Sequence, residues 1–279
     1  MPQALPPIVT LDWLLARMGR VVLCDVRWYL DGRSGRVAYD AGHLPGAVFV
    51  DLDRWLAAPP TRAGGRHPLP DPAVFSQGMR ALGVDDHDVV VAYADAGGAH
   101  AARLVWLLRT CGRAAALLDG GIRSWPFPLS RVTPVVTPGT LHIAEWPATA
   151  IADAAEVAAA TAAGRAVIDA RAAERYRGEI EPVDARAGHV PGAVNLPYDG
   201  NLERRSGHFL DPARLAERYR AAGVGGDAPA IVYCGSGVTA CHALLAIERA
   251  GLPPGRLYAG SWSQWSADPA RPVATGPEP

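Results

Sequence analysis

The sequence predicts an α/β protein of two tandem domains, each a parallel sheet covered by helices on both faces. Three observations carry that reading. The segment Ala41-Gly42-His43-Leu44-Pro45-Gly46-Ala47-Val48 returns as Ala187-Gly188-His189-Val190-Pro191-Gly192-Ala193-Val194. Within each copy, short apolar runs alternate with stretches whose apolar residues fall on one stripe, the strand–loop–helix–strand order that builds parallel sheets. The chain has 279 residues, enough for two ordinary domains.

The elements follow in order. Val21 to Asp25 and Ala166 to Asp169 are apolar runs ending in Asp, which suits buried parallel strands. Val89 to Tyr93 and Ala230 to Tyr233 are two more, and Ala99 to Arg109 and Thr239 to Arg249 read as helices. Asp153 followed by Glu156 forms a capping box that opens the first helix of the second copy. Asp71-Pro72-Ala73 pairs with Asp211-Pro212-Ala213, and Gly120 to Trp125 with Gly260 to Trp265, both at an offset of 140 (211−71 and 265−125). So long a period marks duplicated domains and not a solenoid. Pro126, Pro128, Pro134, Pro138 and Pro147 fall in a stretch without periodicity. The expected boundaries are therefore residues 1–125, a proline-rich linker over 126–148, and residues 149–279.

Composition narrows the function. A formal net charge of −1 gives no general attraction to nucleic acid or anionic lipid. There is no lysine, which excludes Schiff-base chemistry. No stretch approaches the roughly 18 apolar residues of a membrane span, and Met1 to Trp13 does not read as a leader, so a cytoplasmic protein is expected. The four cysteines are Cys24, Cys111, Cys234 and Cys241, none in a CxxC pair. Neither a metal nor a cofactor is expected.

The segment that carries chemistry is Tyr233-Cys234-Gly235-Ser236-Gly237-Val238-Thr239-Ala240. An apolar strand ends at Tyr233, and open parallel sheets bind ligands at the carboxyl ends of their strands. Two glycines let the backbone curl, and a helix starts near Thr239. Such a loop aims backbone N–H groups inward over the positive end of a helix, where a thiolate or a persulfide anion would be stabilised. Cys24, inside a strand, Cys111, at a helix end, and Cys241, on the helix after the loop, read as packing residues. In the first copy the position matching Cys234 is Ala94 (234−94 = 140), so that copy carries no thiol there.

Cys234-Gly235-Ser236-Gly237-Val238-Thr239-Ala240 resembles the active-site loop of 3-mercaptopyruvate sulfurtransferases. The tandem copies, the Gly-His-(Leu/Val)-Pro-Gly-Ala segments, Trp28-Tyr29 and Gly260-Ser261-Trp262 resemble the wider rhodanese family. The resemblance spans nearly the whole chain. It implies two rhodanese-type domains, the second catalytic, and sulfur transfer through a Cys234 persulfide. The donor would be a small anion, 3-mercaptopyruvate ahead of thiosulfate, and the acceptor a thiol, cyanide or a thioredoxin-like protein. Gly235, Gly237, Val238 and Thr239 would cradle the sulfur. Ser236 would join His43 in a proton relay; no acid matches at the family's position, and Asp31 and Asp40 remain open as its acidic partner. Arg175 would bind the donor anion. The family's mercaptopyruvate-specific members place a second arginine shortly afterwards, where this chain has Glu181-Pro182-Val183-Asp184, and Ala259 replaces their usual Asp. Thiosulfate-type loops place Arg-Lys after the cysteine; here Gly235-Ser236 stands instead. A cysteine phosphatase would need an arginine at Ala240 to clamp phosphate. A non-enzymatic persulfide carrier is the remaining alternative.

Overall fold

The computed structural model describes residues 5–95 and 97–279. The chain divides into two compact units that are not contiguous in sequence. The first comprises residues 1–58, 70–146 and 204–208; the second comprises 59–69, 147–203 and 209–279. A short arm of the first copy, residues 59–69, thus belongs to the second unit.

The first unit holds strands β1 (Ile8–Val9), β2 (Val22–Asp25), β3 (Val48–Phe49), β4 (Val90–Tyr93) and β5 (Ala115–Leu118), all parallel, in the order β1-β5-β4-β2-β3. Helices α1 (Leu11–Leu15), α2 (Gly35–Ala41), α3 (Pro72–Ala81) and α4 (Ala101–Thr110) pack around it. The second unit repeats this design. Strands β6 (Ile151–Ala152), β7 (Val167–Asp169), β8 (Val194–Asn195), β9 (Ile231–Tyr233) and β10 (Arg256–Tyr258) run parallel in the order β6-β10-β9-β7-β8. Its helices are α5 (Ala154–Ala162), α6 (Ala173–Tyr176), α7 (Pro212–Ala221), α8 (Thr239–Arg249) and α9 (Ser261–Ala267). Strands β4 and β9 are buried along their whole length, which is why they read as unbroken apolar runs and not as alternations. The capping box at Asp153 and Glu156 is present with both of its hydrogen bonds.

The duplication extends to hydrogen bonds. Arg27 grips Asp25 with Nε and Nη2 and donates to the Gly42 carbonyl; Arg171 does the same with Asp169 and Gly188. Tyr39 stacks on His43 at 3.8 Å and Tyr176 on His189 at 3.7 Å. The hydroxyls of Tyr39 and Tyr176 donate to Ala47 and Ala193. These groups are buried, so each must find a partner inside the fold.

Residues 126–146 form no helix or strand of their own. They lie along the first unit: Leu141 and Ile143 are buried, Gly139 and Leu141 donate to the Arg80 and Val84 carbonyls, and Ser130 bridges His43. Among the described residues, no helix is long and apolar enough to cross a membrane.

Candidate active site

Cys234 follows directly on β9, is 2% exposed, and opens the loop into α8. Its Sγ accepts a hydrogen bond from the Gly237 N–H at 3.1 Å. That bond exists because the chain doubles back at Gly237, whose φ is +77°. A Cβ there would lie 2.5 Å from the Ala259 carbonyl oxygen, so only glycine fits. Val238 is buried at the helix entrance and Thr239 begins α8. With the helix's open N–H groups below it, the loop is a cradle for negative charge on sulfur.

A second turn straps this loop in place. The Cys234 N–H donates to Ser261 Oγ at 3.1 Å, and Ser261 Oγ donates to the Tyr258 carbonyl at 2.9 Å. The Cys234 and Gly235 carbonyls accept from the Trp262 and Ser263 N–H groups. Ser261 has φ +53°, the one positive φ at a non-glycine position among the described residues. Strain of this kind survives only where the surroundings dictate it, and here the two hydrogen bonds of Ser261 do so. The Gly260-Ser261-Trp262 segment therefore positions the cysteine loop from β10 and α9.

The arm of residues 59–69 supplies what the local sequence lacks. His67 Nδ1 shares a 2.8 Å hydrogen bond with Ser236 Oγ, and both residues are buried. The arm is fixed by Arg66, whose N–H donates to Ser263 Oγ, by Arg62 on the Ala267 carbonyl, and by Gln264 on the Ala63 carbonyl. A Cβ at Gly235 would meet Arg66 Nη2 at 3.0 Å and Arg175 Nη1 at 3.4 Å, so two guanidinium groups flank the loop.

Those arginines belong to one ionic chain. Arg66 Nη1 pairs with Asp184 Oδ1 at 2.6 Å, and Asp184 Oδ2 accepts from Arg175 Nη2 at 3.0 Å. Arg175 also pairs with Glu181 at 2.6 Å, and Glu181 reaches Arg171 at 3.4 Å. Burial pushes the Asp184 carboxyl above its usual range, with Glu181 beside it adding to the effect against the pull of Arg66. For Glu181 burial works in the same sense but is outweighed by the hydrogen bonds from Arg175 and from the Asp184 and Val183 N–H groups, so its pKa falls. Burial also raises the pKa of Tyr198, with Asp199 and Cys234 adding to the effect.

Most of the residues singled out in the sequence converge here: Cys234, Gly235, Ser236, Gly237, Val238, Thr239 and Arg175. His43 does not. It is fully buried in the first unit, stacked on Tyr39, with Nδ1 against the Tyr39 carbonyl and Nε2 against the Val132 carbonyl. Both ring nitrogens face backbone carbonyls; His189 repeats only the Nδ1 contact, with the Tyr176 carbonyl. The histidine hydrogen-bonded to Ser236 is His67, where His43 was expected. Arg186, near the place where a second substrate arginine was sought, instead donates to the Trp265, Ser266, Asp268 and Arg271 carbonyls and closes the end of α9. Of the other thiols, Cys24 and Cys241 are buried and Cys111 is half-buried. Cys24 is fully buried and its pKa is pushed up to about 12 by burial first and Asp25 second; Cys241 donates to the Gly237 carbonyl at 3.3 Å.

Comparison with known proteins agrees with this architecture. The model of the rhodanese-like domain matches residues 10–126 and again 153–268. A Pseudomonas aeruginosa protein named as a 3-mercaptopyruvate sulfurtransferase is 44% identical over 96% of this chain and 98% of its own length. A Mycobacterium tuberculosis protein named as a thiosulfate sulfurtransferase is 40% identical over 92% of this chain and 91% of its own. The solved 3-mercaptopyruvate sulfurtransferase of Escherichia coli superposes with a TM-score of 0.78 at 32% identity, covering 92% of this chain and 99% of that one. The chain belongs to the rhodanese-like domain family. Within that family it is a sulfurtransferase of two tandem domains.

Proposed function

We propose that this protein is a 3-mercaptopyruvate sulfurtransferase working through a persulfide on Cys234. The observation that carries the reading is the buried Cys234 Sγ hydrogen-bonded by the loop N–H of Gly237, with Ser236 of the same loop hydrogen-bonded to His67 of the arm.

In the first half-reaction the Cys234 thiolate attacks the donor's sulfur. The Sγ–S bond forms, the carbon–sulfur bond breaks, and its electron pair passes to carbon as the enolate of pyruvate. The proton that left the donor's sulfur ends on that carbon, so thiolate plus mercaptopyruvate gives persulfide anion plus pyruvate. Ser236 is placed to hydrogen-bond the enolate or to deliver this proton, with His67 Nδ1 able to exchange it. Arg66 and Arg175 orient the donor's carboxylate, for which a planar guanidinium is suited. Arg66 Nε is buried without a protein partner, which leaves it a donor to offer. In the second half-reaction an acceptor thiol or cyanide takes the outer sulfur and releases the thiolate. Dividing the transfer in two in this way lowers each barrier. All four cysteines are thiols, which fits work in a reducing, cytoplasmic setting.

One observation favours thiosulfate as the donor: two guanidinium groups, not one, flank Gly235, and two suit a dianion. Their charge is already balanced by Asp184 and Glu181, and we therefore keep mercaptopyruvate first. Side-by-side kinetics on the purified protein decide the matter. We expect a higher kcat/KM with mercaptopyruvate; equal or faster turnover of thiosulfate would overturn the donor and leave the persulfide mechanism standing.

A further inference from the structure

The stretch Glu181-Pro182-Val183-Asp184 stands where mercaptopyruvate-type members of the family place a second arginine, and the structure shows what it does instead. Its two carboxylates serve the arginines that flank the cysteine loop. Asp184 is 4% exposed at its side chain and uses both oxygens, one on Arg66 and one on Arg175. Glu181, 5% exposed, backs Arg175 and touches Arg171. Arg171 is otherwise held by Asp169 and the Gly188 carbonyl. The chain thus contains Arg66, Arg175 and Arg171 against Asp184, Glu181 and Asp169, three cations and three anions, and its formal charge is zero.

We propose that Asp184 sets which donor charge the site accepts: by bridging Arg66 and Arg175 it cancels the surplus positive charge beside Gly235 and disfavours a dianionic donor relative to a monoanionic one. The inference rests on the donor site proposed above. A monoanion entering a neutral ionic chain leaves one uncompensated charge, which the loop N–H groups and the end of α8 can share. A compact dianion leaves two and must shed more tightly held water to enter. Removing the charge of Asp184 while keeping its shape turns the neutral chain into a cationic one and gains more for the dianion than for the monoanion.

The test is the ratio of kcat/KM for thiosulfate to that for mercaptopyruvate, compared between wild type and Asp184→Asn. A ratio between variants does not depend on which donor the wild type prefers, so this result and the donor assignment fail separately. We expect the ratio to rise about tenfold in Asp184→Asn, mainly through a lower KM for thiosulfate, and to stay at the wild-type value in Asp184→Glu. A ratio that is unchanged or lower in Asp184→Asn, or one that rises as far in Asp184→Glu, overturns the proposal, whatever happens to the absolute rates. Should Asp184→Asn not fold, inhibition of the wild type by inert anions at fixed ionic strength answers the same question. Acetate should inhibit mercaptopyruvate turnover at lower concentration than sulfate, and the reverse order overturns the proposal.

Discussion

At the scale of single residues, the proposed chemistry concentrates on one thiol, one hydroxyl–imidazole pair and one carboxylate. Cys234→Ser should abolish transfer from both donors while the thermal transition stays in place. Intact mass after donor treatment should rise by about 32 Da, one sulfur atom, in the wild type only; the added mass appearing on Cys241 instead would move the carrier. The two histidines separate by kind of defect. His67→Gln should lower kcat for mercaptopyruvate by about a hundredfold, because the imidazole partner of Ser236 is gone. His43→Gln should leave the kinetics of the folded protein near wild type and cost about 1 to 3 kcal/mol of stability, because it disturbs a buried ring bonded to two carbonyls. Asp184 gives a pH test of its own. Burial raises its pKa while that of Glu181 is lowered, so on acidification Asp184 gives up its charge earlier than an ordinary aspartate and Glu181 later than an ordinary glutamate. The thiosulfate-to-mercaptopyruvate ratio should therefore climb as the pH falls toward the carboxylate range and should do so less in Asp184→Asn. The charged and titratable groups around it, Arg66, Arg175, Glu181 and the nearby His67, are common to both proteins and cancel in that comparison.

At the scale of elements, the cysteine loop is a joint between β9 and α8 held by a second joint between β10 and α9. Gly237→Ala must push a methyl group to within 2.5 Å of the Ala259 carbonyl in a left-handed conformation. We expect it to cost about 1 to 3 kcal/mol in stability and to lower turnover by about a hundredfold through displacement of the N–H that faces Cys234; differential scanning calorimetry and steady-state kinetics read the two losses. This joint was legible in the sequence because all its parts lie within a few residues: an apolar strand, a cysteine, two glycines and a helix stripe. The strap was only half legible. Gly260-Ser261-Trp262 stood out through its repeat partner Gly120-Gly121-Ile122, but nothing local shows that Ser261 caps the N–H of a residue on another strand. Arg66 and His67 were not legible at all. They sit in a stretch from Pro59 to Pro70 with no periodicity, and their contacts are separated from them by more than a hundred residues of chain, with the Ser236 bond spanning 169 positions. A signal was available in the comparison of the copies. His43 and His189 recur together and so belong to the fold, whereas His67 lies outside the segments that recur between the copies.

At the scale of the whole molecule, two copies of one fold have diverged at the loop that follows the fourth strand of each. In the first copy Ala94 stands at the cysteine position and its carbonyl accepts from the Ile122 N–H, as the Cys234 carbonyl accepts from Trp262. The frame is therefore retained, but Asp95 follows, bonded by the Tyr29 hydroxyl at 2.6 Å, where Gly235 follows in the second copy. Ala96, the next residue of that loop, lies outside the described residues. Ala94→Cys in a Cys234→Ala background should accordingly give no turnover with either donor, since a carboxylate beside the sulfur opposes a thiolate; recovery of more than about a hundredth of wild-type kcat/KM would show that the two loops are more alike than their sequences. The arm of residues 59–69 explains why such a silent copy persists. Duplication ordinarily leaves one copy free to decay, yet here the codons for Arg66 and His67 lie in the copy without the thiol, while the groups they serve lie in the other. Neither half can be lost, recombined out or inherited separately without taking part of the proposed active site with it, so purifying selection on the second half's chemistry also preserves the first.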